Sequence, residues 1–403
     1  MKKILSLFAL SCVVLFASAQ NIYICKDGSY TKKSITEFME VDLSEGMDSI
    51  TFSKPDMLQT VKIVYQGTTA TVTIPEGMSQ YVTCTSGNSS NVVLTNTNTE
   101  EEYAYAVSGS STAGSLTITA DYKMTLKLNG VSLTADQAAA IDIQCGKRIE
   151  IIMGEGTTNT LADKYGGGQK ACLTTKGHIE LSGAGTLNVT GNHNHAIRAK
   201  EYMLVKKSVK EINILDTGGD AIHVGQYFQM NGGTINIDKN TWNDGIQVEK
   251  KTDDDDNVIP LSEDSENTGN IIIKGGTLNI TMGGDEDTKG LKAEGDILVS
   301  GGTFNITAES NGSRGIQADG DMTISEEDGT TNMTIYATGG KCTKDADKAD
   351  PHKCWGMKID GTLTVKAGTV TVYKDGSTTK QGIRCGDYVK KGGTVTARIK
   401  TDD

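Results

Sequence analysis

Two acidic bends, one repeat apart, carry the first chemistry legible in this chain. Asp220 lies in "GGDAIHV" and Asp244 in "WNDGIQV", 24 residues further on. If the chain coils with a repeat of that length, the two carboxylates stack about 5 Å apart. Like charges that close repel unless a proton or a cation lies between them. Ca2+ takes six to eight oxygen ligands, a demand met by two carboxylates, an amide oxygen, carbonyls and water. The predicted metal site is therefore a Ca2+ held by Asp220, Asn243 and Asp244, with Gln247 as a further ligand. The alternative is that each aspartate bonds the amides of its own Asx bend. Asp285 and Asp287 in "GGDEDTKG" form a secondary acidic candidate, whereas "TDDDDN" reads as a solvated loop. His193 and His195 in "GNHNHAI" read as polar stacking at a bend, with transition-metal binding as the alternative.

A second constellation follows from the same repeat. One position after the inward aliphatic of each "xGIx" phrase, the outward residues are Arg198, His223, Gln247, Lys292, Gln317, Lys358 and Arg384. This column holds basic groups and no acid. Two positions on, the column reads Lys200, Gly225, Glu249, Glu294, Asp319 and Asp360. Alternating columns of opposite sign make a solvated ion-pair ladder worth about 0–1 kcal/mol per pair. A ladder with unpaired basic groups also attracts a polyanion, so Arg198, His223, Lys292, Lys358 and Arg384 are candidate ligands for acidic sugar carboxylates. Lys292 doubles as the base of a Ca2+-dependent lyase, since β-elimination of a uronate needs a cation and a base near neutral pH.

The elements that position these residues come from internal repetition. "HAIRAK", "DAIHVG", "DGIQVE", "KGLKAE", "RGIQAD", "WGMKID" and "QGIRCG" recur with steps of 25, 24, 45, 25, 41 and 26 residues. The two long steps contain polar insertions, "KKTDDDDNVIPLSEDSENTG" and "KCTKDADKADPHK". "AGTLNVT", "GGTINID", "GGTLNIT" and "GGTFNIT" run in phase. Each unit offers three short strands of period two, separated by Gly, Asn or Asp bends. The pattern predicts an all-β parallel β-helix with three strands per coil and a period of about 25. Its outward Thr and Asn rows read as β-propensity on an exposed face, with a flat surface for crystalline polysaccharide as the alternative. With 47 glycines, 4 prolines and 5% aromatic residues, the core must be aliphatic, which stacked repeats allow.

The chain opens with "MKK", an apolar "ILSLFALSCVVLF" and "ASA", which predicts a secretory signal peptide over 1–19, cleaved near Ala19 and Gln20. Residues 20–55 read as a small N-terminal β cap and 56–403 as the β-helix. Removing the peptide takes two lysines, so the net charge moves from −12 to −14, which disfavours nucleic acid. No later run is apolar enough to span a membrane. Cys342 and Cys354 bracket the second insertion and could close it as a disulfide in an oxidising compartment.

"YAVSGSSTAGSLTITADYKMTLKLNGVSLT", "GEGTTNTLADKY", "GTLNVTGNHNHAIRAK", "GGDAIHV" and "NDGIQV" with its acidic insertion together resemble a secreted bacterial carbohydrate-binding β-helix family, over roughly residues 60–400. The resemblance implies a right-handed β-helix, bound calcium and affinity for plant-type polysaccharides, pectic ones included. It is similar, more distantly, to family nine pectate lyases, which place aspartates on Ca2+ and a lysine nearby as base. Lys289 and Arg314 stand where the carbohydrate-binding family repeats its acid, which leaves one calcium site as what the resemblance implies. The expected function is a secreted, calcium-binding, non-catalytic polysaccharide-binding protein. A pectate-type lyase using Lys292 and an adhesive surface protein are the alternatives.

Overall fold

The computed structural model describes residues 59–402 apart from 239–240, 254, 256 and 345–351, together with the backbone of three strands nearer the N-terminus. The predicted signal peptide lies outside the described residues. The chain divides into two compact units, residues 1–58 and 59–403. In the first unit Asn21–Lys26 pairs antiparallel with Ser29–Ser34 and with Ser49–Thr51.

The second unit is built from strands, with one 3-10 turn at Glu76–Met78 and no α-helix among the described residues. It starts with an antiparallel pair, Thr60–Gln66 with Thr69–Thr73. Thr60–Gln66 also lies parallel to Tyr103–Ser111. From Ile141 onward most strands pair in parallel with the third strand before and the third after, so the chain winds in coils of three strands.

One face runs through Ile141–Gln144, Ala171–Thr175, His195–Ala199, Ile222–Val224, Ile246–Val248, Lys289–Ala293, Arg314–Ala318, the start of Trp355–Val365 and Gln381–Lys390. Its inward aliphatics Ile197, Ile222, Ile246, Leu291, Ile316, Met357 and Ile383 are each in register with the next and wholly buried. Alternation then sends the next residue outward. The insertions leave this register intact, because Ile246 still faces Leu291 and Ile316 still faces Met357. The first insertion is tied down by buried Asn267, whose amide donates to the carbonyls of Lys251 (2.9 Å) and Ile259 (2.7 Å).

The small residue before each inward aliphatic is a packing requirement. A Cβ at Gly245 would lie 2.4 Å from the Gly290 carbonyl oxygen, and one at Gly290 would lie 2.6 Å from that of Gly315. Such approaches are sterically closed, so these coils can stack only on glycine. On another face Asn188, Asn213, Asn236, Asn279 and Asn305 form an amide ladder. From Asn213 on, each Nδ2 donates to the Oδ1 of the coil before, at 2.7–2.9 Å.

Candidate functional site

The aspartate bends are held by the backbone of the following coil. Asp220 is buried and its Oδ1 accepts the Asp244 N–H at 3.0 Å. Asp244, equally buried, repeats the device: its Oδ1 accepts the Lys289 N–H at 2.7 Å. Asp220 Oδ2 faces two imidazoles, His223 Nδ1 at 2.8 Å and His195 Nδ1 at 3.2 Å. Burial alone would raise the Asp220 carboxyl, but the adjacent imidazoles of His195 and His223 outweigh burial and hold it well below the usual range. Asp244 goes the other way. Burial pushes its carboxyl up to about 6, aided by the charge of Asp220, while Lys289 and Lys292 oppose. Two like charges on neighbouring coils thus have opposite proton affinities, set by what each faces.

The predicted calcium ligands are engaged within the chain or turned to solvent. Asn243 is exposed at the bend, one residue before buried Asp244. Gln247 is buried, and its amide donates to Glu249, just past the end of its strand. Asp220 and Asp244 each spend one oxygen on a backbone N–H, and the other faces imidazoles or the Lys292 ammonium, 3.7 Å from Asp244 Oδ2. Ca2+ needs six to eight oxygens, and this set does not fit it. The secondary pair is also occupied. Asp285 pairs with Lys344. Asp287 accepts from Arg314 and faces Lys289 at 3.6 Å and His352 at 3.3 Å. Burial raises the Asp287 carboxyl, yet the charges of Lys289 and Arg314 bring it below its ordinary range. The chain's own cations stand at this bend.

Of the five basic candidates, four are engaged. His223 meets Asp220, Lys292 meets Asp244, Lys358 donates to Asp360 at 2.6 Å, and Arg384 donates to Asp402 at 2.8 Å. Arg198 is different. It lines a groove of about 520 Å3 with Lys170, Lys176, Lys200, Gln144 and Asp142, the last lying two coils back in the same outward column. Among the described residues no carboxylate pairs with any of these four cations. Burial draws the Arg198 guanidinium below its ordinary range, with the charge of Glu249 opposing. Lys200 N–H donates to the Thr175 carbonyl at 3.1 Å, which puts Lys176 and Lys200 on adjacent coils. Lys170 and Lys176 were not among the sequence candidates. The signal was present, since carrying the two columns one coil back from Lys200 reaches Lys176.

A second groove, of about 600 Å3, opens at the bend edge. Its walls are Tyr165 and Trp242, 84% and 57% exposed, and its lining includes Asn192, Asn194, His195 and Asn243. Exposed aromatic faces beside amides are equipped to stack on sugar rings and bond their hydroxyls. Sequence reading passed over both aromatics, because neither belongs to a repeating column. The Thr/Asn face also carries a groove, but its amides bond one another along the ladder. Cys342 and Cys354 are not joined, contrary to the expected disulfide. Cys342 Sγ lies 3.5 Å from Glu286 and Cys354 Sγ 3.6 Å from the Ala308 carbonyl.

A family model described as carbohydrate-binding domain-containing protein matches residues 88–311 and 266–403. No curated protein matches. Among solved structures, the chain is similar to a polysaccharide lyase-like protein from C. thermocellum, solved as a gadolinium derivative. The TM-score is 0.49 at 17% identity, covering 76% of this chain and 96% of that one.

Proposed function

This chain belongs to the carbohydrate-binding domain-containing family, and from that premise we propose that it is a secreted, non-catalytic protein that binds acidic, pectin-type polysaccharide. The fold is read as a right-handed parallel β-helix of period about 25, exported by residues 1–19. The observation that carries the ligand class is the groove of Lys170, Lys176, Arg198 and Lys200. Four cations with no carboxylate at ion-pair distance among the described residues, against the one carboxylate of Asp142 in the same groove, are a local excess of positive charge in a chain of net charge −12. A polyuronate offers a carboxylate on every sugar, and a guanidinium can take one bidentately. Coils about 4.8 Å apart present Lys176 and Lys200 at a spacing comparable to one pyranose unit. Tyr165, five residues before Lys170, offers a stacking face in the separate groove at the bend edge.

Calcium is not required by this reading, because the cations are side chains. Nor does the lyase alternative find support. Lys292, its base, is engaged as the cation of a pair with buried Asp244.

The test is titration calorimetry with polygalacturonate and with its methyl ester, with and without EDTA. Binding should be confined to the free acid, fall with salt and be indifferent to EDTA. Arg198→Ala with Lys200→Ala should weaken it about tenfold or more. Equal binding to the methyl ester, or undiminished binding by the double variant, would overturn the reading.

A further inference from the structure

We propose that His195, Asp220 and His223 form a binding site for a divalent transition-metal ion. His195 Nδ1 and His223 Nδ1 lie 3.2 and 2.8 Å from Asp220 Oδ2, and the three atoms all lie within 4.8 Å of one another. Ligand atoms about 2.0–2.2 Å from a shared ion are separated by roughly 3–3.5 Å at octahedral or tetrahedral angles. The two carboxylate-to-imidazole separations are close to edges of such a polyhedron.

The site is built rather than incidental. Asp220 is 1% exposed and anchored through Oδ1 by the Asp244 N–H, which leaves Oδ2 for the imidazoles. The two rings come from successive coils and stack with centroids 4.4 Å apart, and both present Nδ1 to Asp220 Oδ2. Glu249 Oε2 stands 3.6 Å from His223 Nε2, where an outer carboxylate orients a ligating imidazole. His195 also lines the Tyr165–Trp242 groove, which opens a path for an ion and for a water or ligand atom in the remaining position. One rearrangement is required. The Asp220 N–H now donates to His195 Nδ1 at 3.0 Å and must yield that nitrogen to the ion. Two imidazole nitrogens and one carboxylate oxygen suit Zn2+, Co2+, Ni2+ or Fe2+, and not a hard oxygen-seeking ion such as Ca2+.

The experiment uses the tag-free chain titrated with Co2+, read by visible d–d absorption. One equivalent should give a band that Zn2+ displaces and Ca2+ does not. His195→Gln and His223→Gln should each weaken Co2+ binding at least tenfold, with circular dichroism unchanged. His178→Gln, altering a histidine that pairs with Glu201 instead, should leave the band intact. Absence of any band, a band surviving both His195→Gln and His223→Gln, or displacement by Ca2+ as readily as by Zn2+ would overturn the assignment.

Discussion

Asp244→Asn separates two accounts of the same buried carboxylate. Asparagine keeps an oxygen for the Lys289 N–H, bonded at 2.7 Å in the wild type, and removes only the charge. The carboxyl rises from 3.8 to about 6, chiefly through burial. A raised acid means that the folded chain keeps its proton where the unfolded chain has lost it. The contribution of Asp244 to stability is therefore fully present below about pH 3.8 and declines as pH rises toward 6. At about 1.4 kcal/mol per unit, the decline is roughly 3 kcal/mol. Asp220 slopes the opposite way, because its carboxyl is lowered and its contribution is lost on acidification, but it is present in both proteins and cancels. The assay is urea unfolding of wild type and variant at several pH values between about 4 and 7 at fixed salt. Wild type should lose roughly 3 kcal/mol relative to the variant across that range, leaving the variant at least as stable near neutrality. A wild type that gains on the variant as pH rises would refute the reasoning. It would mean that a cation, Lys292 or a bound metal, stabilises the anion more than burial penalises it.

Two further substitutions probe the stack itself. Gly290→Ala places a Cβ 2.6 Å from the Gly315 carbonyl oxygen and should destabilise by about 1–3 kcal/mol in the same unfolding assay. Asn236→Ala removes an amide that donates to Asn213 and Glu211 and accepts from Asn279, so it should cost about 1–3 kcal/mol. That loss should appear without any change in polysaccharide binding, measured by calorimetry.

Much of the architecture was legible because stacking turns local alternation into long columns. Each step from Arg198 through His223, Gln247, Lys292, Gln317 and Lys358 to Arg384 is a register pair in the structure. The insertions could be discounted because they are polar and fall between strands. The site was less legible, for a geometric reason. Alternation governs strands, but at a bend the direction of a side chain depends on backbone dihedrals that sequence spacing does not encode. Asn243 and Asp244 are adjacent, yet one is exposed and the other buried. Partnership is also invisible to column reading. Lys358 and Arg198 occupy the same column, but only Lys358 has an acid two residues along to hold it. His195 lies 25 residues before Asp220, one repeat back. Its convergence with His223 required knowing that both rings lean over the same carboxylate oxygen.

Each strand of the long face is bonded to the coil before it and the coil after it. Pulled from one end, such a stack cannot share the load among all its coils, as strands sheared in parallel do. The bonds of one coil open while the rest stay closed, like teeth of a zipper. The Asp220-to-Asp244 and Asp244-to-Lys289 fastenings would be met in succession, each a separate stop. A protein gripping a polymer under tension would therefore release length in increments and stay attached, behaving as a shock absorber.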